Sequence, residues 1–124
     1  MKPYRIRFMA EIGCDFALWG DPFRQFPVNG EYDVDAGDLE HLLPISVDLR
    51  TRILDWAATY ERYDGGERDL DMRDFDGRGM HLSRELQREL GEGYQVQFFF
   101  TFEGARAKWL PKVADEPCPG WTAR

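Results

Sequence analysis

Lysine, cysteine, histidine and asparagine are all scarce in this chain, and each shortage excludes something. Cys14 and Cys118 are too few for a disulfide scaffold, and together with His41 and His81 they show no CxxC or HxxxH spacing. The expectation is free thiols in a reducing compartment and no zinc site. Long apolar runs are missing as well. The longest uncharged stretch, Gly93 to Phe102, falls far short of the roughly 20 residues a helix needs to cross a bilayer. Lys2, Arg5 and Arg7 imitate the basic start of a signal peptide, but Glu11 and Asp15 interrupt what would be its apolar core, so a cytoplasmic location is expected.

Catalytic motifs are missing too: the chain has no GxSxG, HExxH, GxxxxGKS or GxGxxG. Ser46 is placed to cap a helix. Ser83 lies two residues from His81 in a helical pattern, and residues i and i+2 do not share a helix face. The acid-rich run Asp69, Asp71, Asp74, Asp76, Gly77 suggests a calcium loop. Aligned on Gly77, however, Met72 takes the first ligand position and Ser83 the place of the closing glutamate. Arg68, Arg73 and Arg78 interleave, so a charged turn with local ion pairs is the reading. No catalytic, cofactor or metal residue is assigned, and a non-enzyme is favoured.

What is present is a core. The 124 residues fit one domain, and 43% hydrophobic with 15% aromatic residues can fill it; 31% charged residues and a mean hydropathy of -0.57 mark a soluble chain. Arginine outnumbers lysine 13 to 3, as in GC-rich bacterial genomes. The net charge of -7 is concentrated in residues 13–48, where eight acids meet one base, Arg24; the remainder is neutral. Such one-sided acidity argues against nucleic acid or an anionic membrane as partner and suits a basic protein. A solvated loop that only aids solubility is the plain alternative.

Two stretches alternate with period 2. Tyr94 to Glu103 puts Tyr94, Val96, Phe98, Phe100 and Phe102 on one face, and Tyr4 to Ile12 does the same with Tyr4, Ile6, Phe8, Ala10 and Ile12. Both are predicted strands. Their opposite faces carry Arg5, Arg7, Met9 and Glu11 beside Gln95, Gln97, Phe99 and Thr101, a mixed surface able to hold the loop, a dimer mate or another protein. Between them, Leu49, Ile53, Trp56, Tyr60 and Tyr63 form a helical stripe, predicting a helix over about 47–63 behind the Ser46 cap and Asp48. A second helix is predicted from around Gly77–Gly79 to Leu90, stopped by Gly91, with Glu67 to Asp76 as a charged connector. Phe16 to Trp19 and Glu31 to Val34 are candidate short strands, the latter after the turn-forming Asn29-Gly30. Trp109 and Leu110 can fold back on the domain; Pro111, Pro117 and Pro119 predict an irregular tail over 114–124.

The order strand, loop, helix, helix, strand predicts a two-layer α+β domain over 1–113. Two helices cover one face of a small, mainly antiparallel sheet of two to four strands, and the last strand runs antiparallel to the first. The expected partner-binding residues are Trp19, Phe23, Phe26, Tyr32, Asp33, Asp35 and Asp38, because aromatic anchors in a polar rim are how interfaces gain affinity.

RIRFMAEIGCDFALWG, LPISVDLRTRILDWAATY and GRGMHLSRELQRELGEGYQVQFF resemble a family of small uncharacterised proteins of GC-rich (actinobacterial-type) bacteria. That resemblance implies the fold and transfers no catalytic residue. In size, acidity and missing catalytic motif the chain is also similar to toxin immunity proteins. The expected function is a non-enzymatic protein-binding module, in its most concrete version an immunity-type inhibitor, that engages a basic protein through the acidic aromatic segment 13–48. A small enzyme or ligand-binding domain with a pocket between loop and sheet, and a self-associating module that forms a homodimer, are the alternatives.

Overall fold

The computed structural model describes residues 3–10, 16–20, 43–64, 71–101 and 109–113, the side chains of 61–64 excepted. Six elements follow in order: β1 (Tyr4–Phe8), β2 (Leu18–Trp19), α1 (Val47–Asp64), α2 (Met72–Leu90), β3 (Tyr94–Phe99) and β4 (Trp109–Leu110). The strands form one sheet in the order β2-β1-β3-β4, with both helices on one face. The α+β, two-layer expectation is met.

The direction of the central pair is not as expected. β1 and β3 run parallel, with Tyr4 opposite Tyr94 and Phe8 opposite Phe98, while β2 and β4 join the edges antiparallel. The sheet is mixed. The reason lies in what precedes α1. Ser46 meets Glu89, Arg52 meets Glu85, and Trp56 and Tyr60 lie on Phe75, so α1 and α2 are antiparallel. Gln87 bonds near the start of β3 and Asp76 just beyond its end, at Thr101, so α2 is antiparallel to β3. Hence α1 runs with β1, and the chain between them must first come back. β2, antiparallel to β1, starts that return, which a count of one strand and two helices leaves out.

Alternation explains the inner face: Tyr4, Ile6, Phe8, Val96 and Phe98 are buried, and Leu49, Ile53, Trp56 and Ala57 of α1 with Phe75, Met80, Leu82, Leu86 and Leu90 of α2 close over them. Trp56 is central. Its ring stacks on Phe75 at 4.3 Å and 10°, packs against Phe8 at 5.1 Å, and its Nε1 donates to the Phe75 carbonyl at 2.9 Å. A buried indole that satisfies its one donor keeps its full apolar contribution. Gly79 lets α2 come this close: a Cβ there would stand 2.4 Å from Trp56 Cζ2 and 2.8 Å from Phe98 Cε1.

The predicted start of the second helix is also corrected. α2 begins at Met72, capped by Asp71, whose carboxylate accepts from the backbone N–H of Arg73 and Asp74. The acid-rich run is therefore mostly helix. Asp74 pairs with Arg78 one turn on at 3.1 Å, and buried Asp76 accepts from both the N–H and the hydroxyl of Thr101. Gly77 and Gly79 resemble helix breakers in sequence but are buried packing positions. α1 matches its prediction: Ser46 Oγ accepts from Leu49 N–H at 3.1 Å, and Glu89 of α2 takes the Ser46 N–H and hydroxyl at 2.7 and 3.0 Å.

Two strand ends fall short of their predicted limits, β1 closing at Phe8 and β3 at Phe99. β4 is the fold-back of Trp109 and Leu110, and Val113 after it is fully buried. Where β4 does not reach along β3, a side chain replaces it. The Gln87 amide donates to the Tyr94 carbonyl at 2.8 Å and accepts from the Val96 N–H at 2.7 Å, as a neighbouring strand would. The predicted strand at Glu31 to Val34 and the predicted tail over 114–124 lie outside the described residues.

Candidate binding face

Because side chains alternate along a strand, burying Tyr4, Ile6, Phe8, Val96 and Phe98 turns Arg5, Arg7, Gln95, Gln97 and Phe99 to the opposite face. Among the described residues no helix covers that face. Register decides what gathers there. Trp19 stands opposite Arg7, Arg7 opposite Gln97, and Phe99 opposite Trp109. All five side chains are half-buried.

Aromatic rings frame the face from both edges. Trp19 packs on Phe16 at 4.8 Å and is fixed by its Nε1–H, which donates to the Met9 carbonyl at 2.9 Å. On the other side Trp109 meets Phe99 edge-on at 4.9 Å. Between them the Arg7 guanidinium lies over the Trp109 ring at 4.3 Å. A cation on an indole face is worth about 0.5–1 kcal/mol when partly exposed, which biases the guanidinium toward this position. Gln95 donates to the Pro111 carbonyl at 2.9 Å and ties the segment after β4 to β3.

On the helix side one charged cluster ties α1 to α2. Arg52 bonds both oxygens of Glu85, at 2.7 and 3.2 Å, and Asp48 at 2.9 Å. The Arg52 hydrogen bonds hold the Glu85 carboxyl below its ordinary value of 4.5, against a smaller opposing effect of burial. Among the described residues the Arg7 guanidinium and the Gln97 amide have no hydrogen-bond partner.

Of the residues predicted to bind a partner, Trp19 is on this face, at its β2 edge. Phe23, Phe26, Tyr32, Asp33, Asp35 and Asp38 lie outside the described residues. Thr101, expected on the outer face, turns to Asp76 of α2 instead. Trp109 is the member that the sequence reading missed. The available signal was Trp109-Leu110 itself, a short alternating pair that places one ring out while Leu110 packs against the core.

A protein-family profile described as Serratia CdiI immunity protein-like matches residues 4–101, from the first residue of β1 to just past β3. The chain belongs to this family. A family of immunity proteins implies a protein-binding, inhibitory role. No curated protein matches the chain.

Proposed function

We propose that this protein neutralises a basic protein toxin by binding it, and that the acidic segment 13–48 guides the encounter. The carrying observation is the family match, which spans both central strands, both helices and that segment. The charge distribution supplies the chemistry. Eight acids against one base in 13–48, on a chain otherwise neutral, create a local field that attracts a cationic surface and raises the on-rate. Trp19, Phe23, Phe26 and Tyr32 are the proposed apolar anchors, and Asp33, Asp35 and Asp38 the steering charges. No bond is made or broken; inhibition is by occupation, and the protein works in the cytoplasm where its target would act.

The test is affinity capture from cells of the source organism at low and high salt, followed by kinetics with the purified partner. One basic protein should be retained at low salt and weakened at high salt. Changing Asp33, Asp35 and Asp38 together to Asn should slow association about tenfold or more at low salt without lowering thermal stability. Capture of the chain alone, or unchanged association, would count against the reading.

A further inference from the structure

The outer face of the sheet carries the furthest inference, because two of its hydrogen-bonding side chains, Arg7 and Gln97, lie side by side with no hydrogen-bond partner among the described residues. Arg52 is matched to Glu85 and Asp48, and Arg78 to Asp74. Arg50 and Arg88 also make no ion pair among the described residues, and Arg7 differs from them by its place in the sheet. It sits half-buried in the middle of the sheet, its plane held over Trp109, with no carboxylate among the described residues to take its donors. Gln97 lies beside it in register with an amide equally unengaged. Trp19 on one side and Phe99 with Trp109 on the other surround the pair with apolar surface.

We propose that this face is the anchoring surface for the protein partner, and that Arg7 and Gln97 together receive an aspartate or glutamate side chain which the partner inserts between the rings. This rests on the protein-binding reading above and adds to it a second surface of opposite sign. A guanidinium presents two parallel N–H groups that fit the two oxygens of a carboxylate, and the Gln97 amide adds a donor alongside. Holding the fork over an indole beforehand removes part of the ordering cost of binding. Arginine and tryptophan in the centre of a patch, ringed by less critical contacts, are the residue types that dominate interface energies.

Charge also decides the occupant. A phosphate-bearing nucleic acid would meet the same guanidinium but also the field of a chain with net charge -7. A second copy docked face to face about a two-fold axis would bring Arg7 towards Arg7, two like charges in a partly dry interface. A basic partner with one acidic side chain in its contact surface satisfies both signs. The acidic segment draws it in, and Arg7 fixes its register, so that a wrong orientation leaves Arg7 facing a like charge.

The experiment uses the full chain with a photo-crosslinking p-benzoylphenylalanine in place of Met9, whose backbone borders Trp19 on this face. It is expressed in cells of the source organism, irradiated, and the adduct is read by mass spectrometry down to the crosslinked peptide. A matched chain carries the crosslinker at exposed Arg88 of α2. The expected result is an adduct from position 9 but not from 88, to one second protein, through a peptide containing Asp or Glu. Arg7→Ala should cut its yield about tenfold or more, and Arg7→Lys should restore only part of it, since the charge returns without the fork. Thermal melting of both variants within a few degrees of the parent separates a lost contact from a lost fold. No adduct, an adduct only to another copy, or a yield that ignores Arg7→Ala overturns the proposal. If salt-dependent capture retains a partner and position 9 does not reach it, the anchoring face is wrong and the inhibitor reading survives. If capture also fails, the inhibitor reading itself has failed.

Discussion

At the scale of single residues, Gly79 sets the distance between α2 and the sheet. Two effects oppose each other when it becomes alanine. Helix propensity favours alanine by about 1 kcal/mol. Overpacking costs about 1–3 kcal/mol, and here the obstructing atoms belong to buried rings, Trp56 and Phe98, which have no solvent to move into. The steric effect should win. Gly79→Ala is expected to lower stability by up to about 2 kcal/mol, read as a lower urea midpoint; a raised midpoint would show that the rings can yield. Gln87 makes the complementary case. Gln87→Ala removes the partners of the Tyr94 carbonyl and the Val96 N–H, so two backbone groups beside the core lose their bonds. A cost of about 2 kcal/mol is expected, together with faster deuterium exchange at Val96. Protection that stays unchanged would mean another group seals that strand.

At the scale of elements, the helices were the most legible part and also the source of one error. Leu49, Ile53 and Trp56 at helical spacing, with Ser46 before them, fix α1 from sequence because period and cap agree. The start of α2 differs from its prediction because Gly77 and Gly79 carry a breaker's signature, whereas both are buried inside the helix, Gly79 against Trp56 and Phe98, and the helix begins five residues before Gly77, after the Asp71 cap. The strands were legible from alternation. Their relative direction was not, since it depends on how the chain returns before α1. On the candidate face, Arg7 and Gln97 could be assigned from strand parity, but the arrival of Trp109 over Arg7 needs the pairing of β4 with β3, which no local pattern encodes. The tie between the helices yields a pH prediction. Glu85 is held below its ordinary carboxyl value, so it binds fewer protons folded than unfolded in this range. Its contribution is present above about pH 4.5 and is lost as pH falls through the lowered folded value. Glu85→Gln should therefore flatten the acid limb of stability, with a larger loss at about pH 6–7 than at the acid end, as measured by urea denaturation. The side chain is about a third exposed, so the slope is modest. Equal losses at both ends would assign the effect to packing instead.

At the scale of the whole molecule, the two central strands come from opposite ends of the described fold. β1 is closed on one side by a two-residue strand, and its long pairing is with β3. Without β3, β1 loses its long pairing and α2 loses the strand it packs on, which leaves Phe8 and Trp56 without Phe98 between the layers. A fragment of residues 1–90 should therefore lack a cooperative thermal transition, while 1–113 should retain one. Circular dichroism melts of the two would decide this, and a cooperative melt from 1–90 would show that the helices and β1 suffice. The same topology separates the two proposed surfaces in role. The sheet carries Arg7 and Trp109, while most acids of segment 13–48 fall in the sequence between β2 and α1.

The parallel pairing of β1 with β3 also has a meaning in time. A ribosome adding about 5–20 residues each second makes Tyr4, Ile6 and Phe8 roughly 4.5–18 seconds before their partners Tyr94, Val96 and Phe98 exist. Throughout that interval the first strand of every nascent copy is an apolar segment in search of a cover. A cell that relied on this protein for protection would gain nothing from a half-made chain, and its defence against an incoming toxin would rest on molecules already completed.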